Sequence, residues 1–265
     1  MEFLVGFLIA VAIAVTGVGA GTLTAPLLIF FLHVPLGVAV CTALVYASVI
    51  KLLVLPVQIV RRKINYRVAG WMLAGGLPGV VLGSLMLRRF VLVHAQRPLY
   101  AVLGVIIVVS SAWHLWRHFR PGTQVVQGPP RLRRLAAFML PVGFEVGLSS
   151  SGAGALGSLA LMGFTSLTPS EVVGTDLAFG FALSLAGGGV HLFTGGCDSS
   201  LLLTLIGGGA VGVIAGSALA PHVPQRQLRL ALAACLLLIG VQLCYRALQH
   251  LPAASALGYL RHFVS

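Results

Sequence analysis

Three ionisable side chains lie deep within long apolar runs of the sequence: Lys51, Glu145 and Asp176. A charged group surrounded by apolar residues is costly, so it usually faces a cavity or a partner. Lys51 is suited to offsetting the charge of an anion, and Asp176 either to pairing with Lys51 or to carrying a proton. Glu145 is a second candidate for proton coupling. The structural alternative is a buried ion pair that holds the helices together.

Hydroxyl residues recur in the same runs. Thr42 and Thr175 occupy equivalent places near the starts of two long apolar runs, and Ser150 belongs to a run of three serines before a glycine pair. A lone threonine in an apolar helix usually bonds its own backbone, whereas two in equivalent places favour a shared role as hydrogen-bond donors to a ligand. His191 follows a run of three glycines, and it is either a packing residue or a member of the same site.

Glycines interrupt two of the apolar runs. The sequence Gly-Val-Gly-Ala-Gly-Thr fills 17–22, and Gly-Ala-Gly fills 152–154. Glycines in the middle of an apolar run predict a break in a helix, where free N–H groups and the positive end of the helix dipole attract an anion. The alternative is close helix packing through small residues, and packing is the favoured interpretation for six further glycines at regular helical spacing: Gly75, Gly79, Gly83, Gly208, Gly212 and Gly216. The candidate anion contacts at the two breaks are Gly19, Gly21, Thr22, Gly152 and Gly154.

The two breaks lie in matching parts of an internal repeat. Gly-Ala-Gly at 19–21 reappears at 152–154, an offset of 133 residues. The same register, without a gap, joins two further pairs of segments: 40–44 with 173–177, and 75–84 with 208–217. Three matching blocks in one register predict that the architecture is duplicated.

The composition places these elements in a membrane. Of 265 residues, 58% are hydrophobic and only 8% are charged, and the mean hydropathy is +1.02. A soluble domain of this length would need far more polar surface, and apolar runs of about 20 residues recur, long enough to cross a bilayer as helices. The net charge of +12 lies mainly in short loops, where it sets topology rather than binding nucleic acid. We therefore predict an all-α polytopic membrane protein.

The chain divides at a basic linker. We predict a first repeat over 1–118, a cytoplasmic linker over 119–134, a second repeat over 135–249 and an interfacial tail over 250–265. In each repeat a glycine-broken helix precedes three transmembrane helices, predicted at 37–60, 68–87 and 98–116 in the first half, and at 171–193, 200–220 and 227–245 in the second.

The broken segments decide the symmetry of the repeats. The pieces 3–15 and 22–32 are each too short to cross a bilayer of about 30 Å, which favours a re-entrant pair that dips in and returns. A re-entrant pair followed by three crossings would invert the second repeat relative to the first. Spanning broken segments remain the alternative. Either way, the bias of Lys and Arg puts the loops 61–67 and 117–134 in the cytoplasm.

The remaining polar residues give no sign of catalysis. The four cysteines show neither a Cys-x-x-Cys motif nor metal-ligand spacing, and we interpret them as small buried residues. The sequence contains no recognisable nucleophile with its base, no haem-ligand pair and no paired carboxylates at a shared depth. We therefore expect no enzyme, and neither a cofactor nor a metal.

Two strings resemble a known family. The pattern Gly-x-Gly-x-Gly-Thr-Leu-x-x-Pro-Leu-Leu fills 17–28, and Val-Gly-Thr-Asp-Leu fills 173–177. With the span that carries Thr42 and Lys51, they resemble the sulfite exporter TauE/SafE family, also called the toluene-sulfonate uptake permease family. The resemblance covers residues 3 to 246. It assigns to the family's motifs Gly19, Gly21, Thr42 and Lys51 in the first half, and Gly152, Gly154, Thr175, Asp176 and His191 in the second.

The resemblance implies a multi-pass transporter of the bacterial inner membrane. Its substrates would be small sulfur-containing oxyanions such as sulfite, sulfonates or thiosulfate. A membrane potential negative inside favours export of an anion, whereas uptake would need coupling, for example to protons through Glu145 or Asp176. Relatives often carry Gly-Thr-Asp in the first half, where this chain has Cys-Thr-Ala at 41–43, so the substrate stays open.

Other functions remain to be weighed. A permease for another small organic anion would use the same donors. A permease for a metal cation should show clustered His, Asp or Met residues, and only scattered ones occur. A membrane assembly factor without transport activity is the third alternative. The expected partners are the lipid bilayer and the anion; a homo-oligomer is left open.

Overall fold

The computed structural model describes residues 2–16, 20–32, 34–92, 131–150, 153–193 and 197–219, together with the isolated positions 105, 108, 109, 237 and 241. These residues form helices and short connections without a strand. The helices are α1 (Glu2–Thr16), α2 (Ala20–Phe31), α3 (Leu36–Val60), α4 (Tyr66–Leu92), α5 (Leu132–Ser149), α6 (Ala153–Phe164), α7 (Pro169–Phe193) and α8 (Ser199–Leu219).

Four of these helices are long and apolar enough to cross a membrane: α3, α4, α7 and α8. They confirm four of the predicted spans. α1 is apolar but shorter. The predicted spans 98–116 and 227–245 and the tail 250–265 lie outside the described residues, apart from single helical positions.

Helix boundaries recur at the offset seen in the sequence. α3 and α7 each contain 25 residues, and their first residues, Leu36 and Pro169, are 133 apart. α2 and α6 each contain 12 residues and begin at Ala20 and Ala153. The starts of α4 and α8 are separated by the same number of residues. The matched lengths follow from matched sequence patterns of apolar runs and glycines.

α3 and α7 pack against each other in opposite directions. A Cβ atom added to Gly188 would contact Val45, and one added to Gly174 would contact Lys63. Residues later in α3 therefore contact residues earlier in α7, so the two helices are antiparallel. The two helices form the centre of the bundle, with fully buried Leu44 on α3 beside Gly187 on α7.

Two glycine stripes bring the outer helices into close contact. Gly75, Gly79 and Gly83 of α4 lie against the backbone of α5, and a side chain at any of them would collide with it. In the same way Gly208, Gly212 and Gly216 of α8 lie against α1. The predicted packing role of these stripes is confirmed. Each stripe joins a helix of one half of the chain to a helix of the other half, because α4 contacts α5 and α8 contacts α1.

α5 and α6 form a helical hairpin. α5 ends at Ser149, and Ser150 takes a left-handed conformation with φ of 61°, where its N–H donates to Val146 O at 2.8 Å. At the other end, Arg131 N donates to Phe164 O at 3.0 Å, so the segment returns to the side from which it starts. α5 begins at Leu132, so the last residues of the predicted linker already belong to this helix.

Polar side chains cap the starts of three long helices, α4, α7 and α8. The Glu171 carboxylate accepts hydrogen bonds from Thr168 N at 2.9 Å and Thr168 Oγ1 at 2.6 Å, a capping box at the start of α7. Asn65 Oδ1 accepts from Val68 N at 3.2 Å, and Asp198 Oδ1 accepts from Ser200 N at 2.9 Å. These side chains satisfy N–H groups that have no partner within the first turn.

The cysteines differ from the expectation. A disulfide joins Cys41, buried near the start of α3, to Cys197 in the connection before α8, with the Cα atoms 5.4 Å apart. The interpretation as separate small buried residues is therefore wrong for this pair. Their separation of 156 residues hid the pairing, because the sequence does not reveal which helix ends meet. Cys235 and Cys244 lie outside the described residues.

Candidate functional site

A buried lysine lies where the two central helices face each other. Lys51 on α3 is 4% exposed, and its Nζ donates a hydrogen bond to Ser184 Oγ on α7 at 3.1 Å. Ser184 in turn donates to Gly180 O of its own helix at 2.7 Å. The ammonium group therefore has a neutral partner at the centre of the bundle, which leaves its charge available to an anion.

A buried carboxylate lies on the same helix, nearer its start. Asp176 is 7% exposed, and its Oδ2 accepts a hydrogen bond from Ser158 Oγ of α6 at 2.7 Å. Its other oxygen, Oδ1, packs against Gly157 and has no hydrogen-bond partner among the described residues. Asp176 and Lys51 attract each other electrostatically but form no direct hydrogen bond in this part of the structure.

Thr175, the neighbour of Asp176, binds the connection between α3 and α4. Its Oγ1 accepts a hydrogen bond from Asn65 N at 3.0 Å. Asn65 belongs to the connection between α3 and α4, so this bond fixes the connection on the start of α7. Thr175 is therefore held by the fold.

Other residues predicted to form the site lie around the last turns of α7. His191 is 4% exposed, and its ring hydrogen-bonds the backbone of Gly147 on α5. Thr42 and Ser150 are buried, and neither hydroxyl has a hydrogen-bond partner within the described ranges. Glu145 Oε1 on α5 is also buried without such a partner there.

The polar residues thus occupy three levels along α7. Asp176 precedes Ser184 by eight residues, about 12 Å along a helix, and His191 follows Ser184 by seven, about 10 Å. Lys51 lies at the middle level. The arrangement provides a carboxyl group at one end, a lysine in the centre and neutral hydroxyls at the other end, all within an otherwise apolar bundle.

The glycine breaks are only partly described. Gly21 and Thr22 lie in the first turn of α2, and Gly154 lies in the first turn of α6. Gly19 and Gly152 lie outside the described residues. Among the residues that the structure describes, no group of His, Cys, Asp or Glu could hold a metal ion.

Comparisons with known proteins cover nearly the whole chain. Residues 2–243 match the profile of the sulfite exporter TauE/SafE family. The chain belongs to the TauE/SafE family. It is similar to a probable membrane transporter protein, YjnA of Bacillus subtilis (strain 168), with 30% identity over 251 residues, 91% of this chain and 97% of the relative. No solved structure matches the chain.

Family membership makes this TauE/SafE protein a membrane transporter. The resemblance read from the two glycine and threonine strings is confirmed, as is a membrane protein with several apolar helices.

Two partners of the predicted residues were not found from the sequence. Ser158 binds Asp176, and Ser184 binds Lys51. The repeat contained a signal for Ser184, because it lies 133 residues after Lys51 and so holds the equivalent position. Ser158 had no comparable signal, since its equivalent in the first half is Ala25.

Proposed function

We propose that the protein exports a small sulfur-containing oxyanion, such as sulfite, a sulfonate or thiosulfate, across the bacterial inner membrane. The observation that carries the proposal is the buried Lys51, whose hydrogen-bond partner is the neutral Ser184. A buried lysine ammonium with no direct ion-pair partner among the described residues attracts an anion strongly in a low-dielectric core. The family name, sulfite exporter, supports the choice of substrate class.

Two inverted repeats would form the route. The support is the antiparallel packing of α3 and α7 and the offset of 133 between Lys51 and Ser184, which contact each other. Residues at equivalent positions can touch only near the axis that relates the two halves. Repeats related in this way are common in transporters, where a substrate binds near the repeat interface.

The hairpin of α5 and α6 would be re-entrant. Its ends meet at Arg131 and Phe164, and basic residues gather at the start of α5 and in the connection 61–63. Both places would face the cytoplasm by the bias of positive residues. Asp176 then lies towards the cytoplasm, and His191 lies towards the outside. The start of α6, which carries Gly154, would add N–H donors to the anion site.

The membrane potential favours export. A potential negative inside drives an anion outwards by roughly 2.3 kcal/mol per charge per 100 mV, so export of sulfite needs no further energy source. Uptake would require coupling, and Asp176 and Glu145 would be the groups to carry a proton. A metal-cation permease is disfavoured, because Lys51 would repel the substrate at the centre of the route.

Transport in proteoliposomes tests this function. Purified protein is reconstituted with an imposed potential, and the movement of ³⁵S-labelled sulfite, thiosulfate and a sulfonate is compared with that of labelled acetate and a divalent cation. We expect at least one sulfur oxyanion to move faster than in protein-free vesicles. Movement of the cation alone, or of no solute, would refute the proposal.

A further inference from the structure

Hydroxyl groups in the described residues include two contrasting classes. Several donate to a carbonyl of their own helix, as serine and threonine usually do in apolar helices. This class includes Ser48, Ser149, Ser158, Thr165, Ser184, Thr204 and Ser217. Three buried hydroxyls find no hydrogen-bond partner among the described residues, and we call them the hydroxyl cluster: Thr42, Ser84 and Ser150.

Ser84 lies at the junction of three helices. It is fully buried on α4, and its Oγ is 3.4 Å from the place where a Cβ on Gly187 of α7 would lie. Its backbone N packs against Gly147 of α5. One turn beyond Gly187, the His191 ring hydrogen-bonds the backbone of that same Gly147. Ser84 and His191 therefore border one region between α4, α5 and α7.

The other two members reach the same region. Val45 of α3 contacts Gly188, and Thr42 lies one turn before Val45 on the same face. Because α3 and α7 are antiparallel, Thr42 is level with His191, one turn after Gly188. Ser150 lies one turn beyond Gly147 at the end of α5. The hydroxyl cluster thus surrounds the last turns of α7.

We propose that Ser84 contacts the transported oxyanion, in a subsite formed by the hydroxyl cluster. This inference rests on the proposed function. Burying hydroxyls without partners is costly, and oxyanion oxygens accept the hydrogen bonds that these groups can donate. The subsite extends from about 5 to about 10 Å beyond Lys51 along α7, so an anion that leaves the lysine meets neutral donors before the exit.

The repeat offers a matched control for Ser84. Its equivalent at the same offset is Ser217 on α8, which is exposed and donates to Ile214 O at 2.9 Å. In proteoliposomes, Ser84→Ala should raise KM for the sulfur oxyanion about tenfold, because one hydrogen bond to a charged group is lost. Ser217→Ala should leave KM unchanged. Equal KM values for the two variants would overturn the inference.

A second pair of variants adds a methyl group to α7 near the subsite without removing a hydrogen-bond donor. A methyl group at Gly187 would lie 3.4 Å from Ser84 Oγ and 3.0 Å from Val80 Cγ2, whereas one at Gly189 has no neighbour within 4 Å. Gly187→Ala should therefore raise KM severalfold, and Gly189→Ala should not. Size-exclusion profiles and thermal unfolding would test whether all four variants fold.

The outcomes separate this inference from the proposed function. If the wild type transports no sulfur oxyanion, both fail. If it does so and Ser84→Ala lowers only the amount of folded protein or kcat, with KM and the stabilisation by sulfite in thermal unfolding unchanged, Ser84 is structural and the inference alone fails. A raised KM with lost sulfite stabilisation supports the subsite.

Discussion

Lys51 and Ser184 hold equivalent positions in the two halves of the chain and are hydrogen-bonded to each other, Nζ to Oγ at 3.1 Å. The first half contributes a cation at this position, and the second half contributes a neutral hydroxyl of smaller size. A symmetric pair of lysines would repel each other at this distance. The two halves therefore differ where they meet, and Lys51 is the one charged group of this pair.

The first prediction concerns this charge. Lys51→Ala should reduce transport of the sulfur oxyanion at least about tenfold, because the only deeply buried cation among the described residues is removed. The other lysine of the chain, Lys63, lies in the connection after α3 and provides the control Lys63→Ala. Normal transport by Lys51→Ala at wild-type protein levels would show that the lysine is structural.

The second prediction concerns the contact between Asp176 and α6. A methyl group at Gly157 would collide with Asp176 Oδ1, whereas one at Gly163 has no neighbour within 4 Å. Gly157→Ala should therefore impair transport as Asp176→Asn does, and Gly163→Ala should not. Initial rates with and without a pH gradient measure the effect. If Asp176→Asn keeps the wild-type response to the gradient, Asp176 carries no coupling proton.

The third prediction is topological. α1 runs alongside α8, because Phe3 contacts Gly208 and Phe7 contacts Gly212. α8 begins at the end of the bundle opposite the basic connection 61–63, so inverted repeats place the start of α1 outside. An alkaline phosphatase fused before Glu2 should be active, and one inserted in the linker at 124 should be inactive. The reverse pattern would contradict the orientation.

The fourth prediction concerns the disulfide. Cys41 and Cys197 lie near the same end of the bundle as the start of α8, which the proposed orientation places outside, where disulfides persist. In a variant with Cys235→Ser and Cys244→Ser, the denatured protein should bind maleimide only after reduction. Adding Cys41→Ser should leave Cys197 labelled without reduction. Full labelling of both cysteines in the unreduced protein would show that the bond does not form.

Features that depend on a single helix could be predicted from the sequence. The apolar runs predicted α3, α4, α7 and α8, and the spacing of Gly75, Gly79 and Gly83 predicted a packing stripe that lies against another helix. Both features depend on residues within one helix. Hydrophobicity and small side chains at regular spacing fix them without reference to the partner helix.

Contacts between helices could not be predicted in the same way. The stripe on α4 packs against α5 of the other half, and nothing in the apolar pattern distinguishes that helix from α1. For the same reason the partners of Asp176 and Cys41, which are Ser158 and Cys197, emerged only from the structure. Ser84 looked equivalent to Ser217, and only burial separates the two.

The sign of the current carried by the solute distinguishes anion transport from cation transport. Proteoliposomes adsorbed on a solid-supported membrane are exposed to a jump in sulfite concentration, and the resulting current is recorded for the wild type and for Lys51→Ala. We expect a transient current with the sign of an anion entering the vesicles, strongly reduced in Lys51→Ala and unchanged in Lys63→Ala. No current with any sulfur oxyanion, or a current with the sign of cation entry, would contradict this expectation.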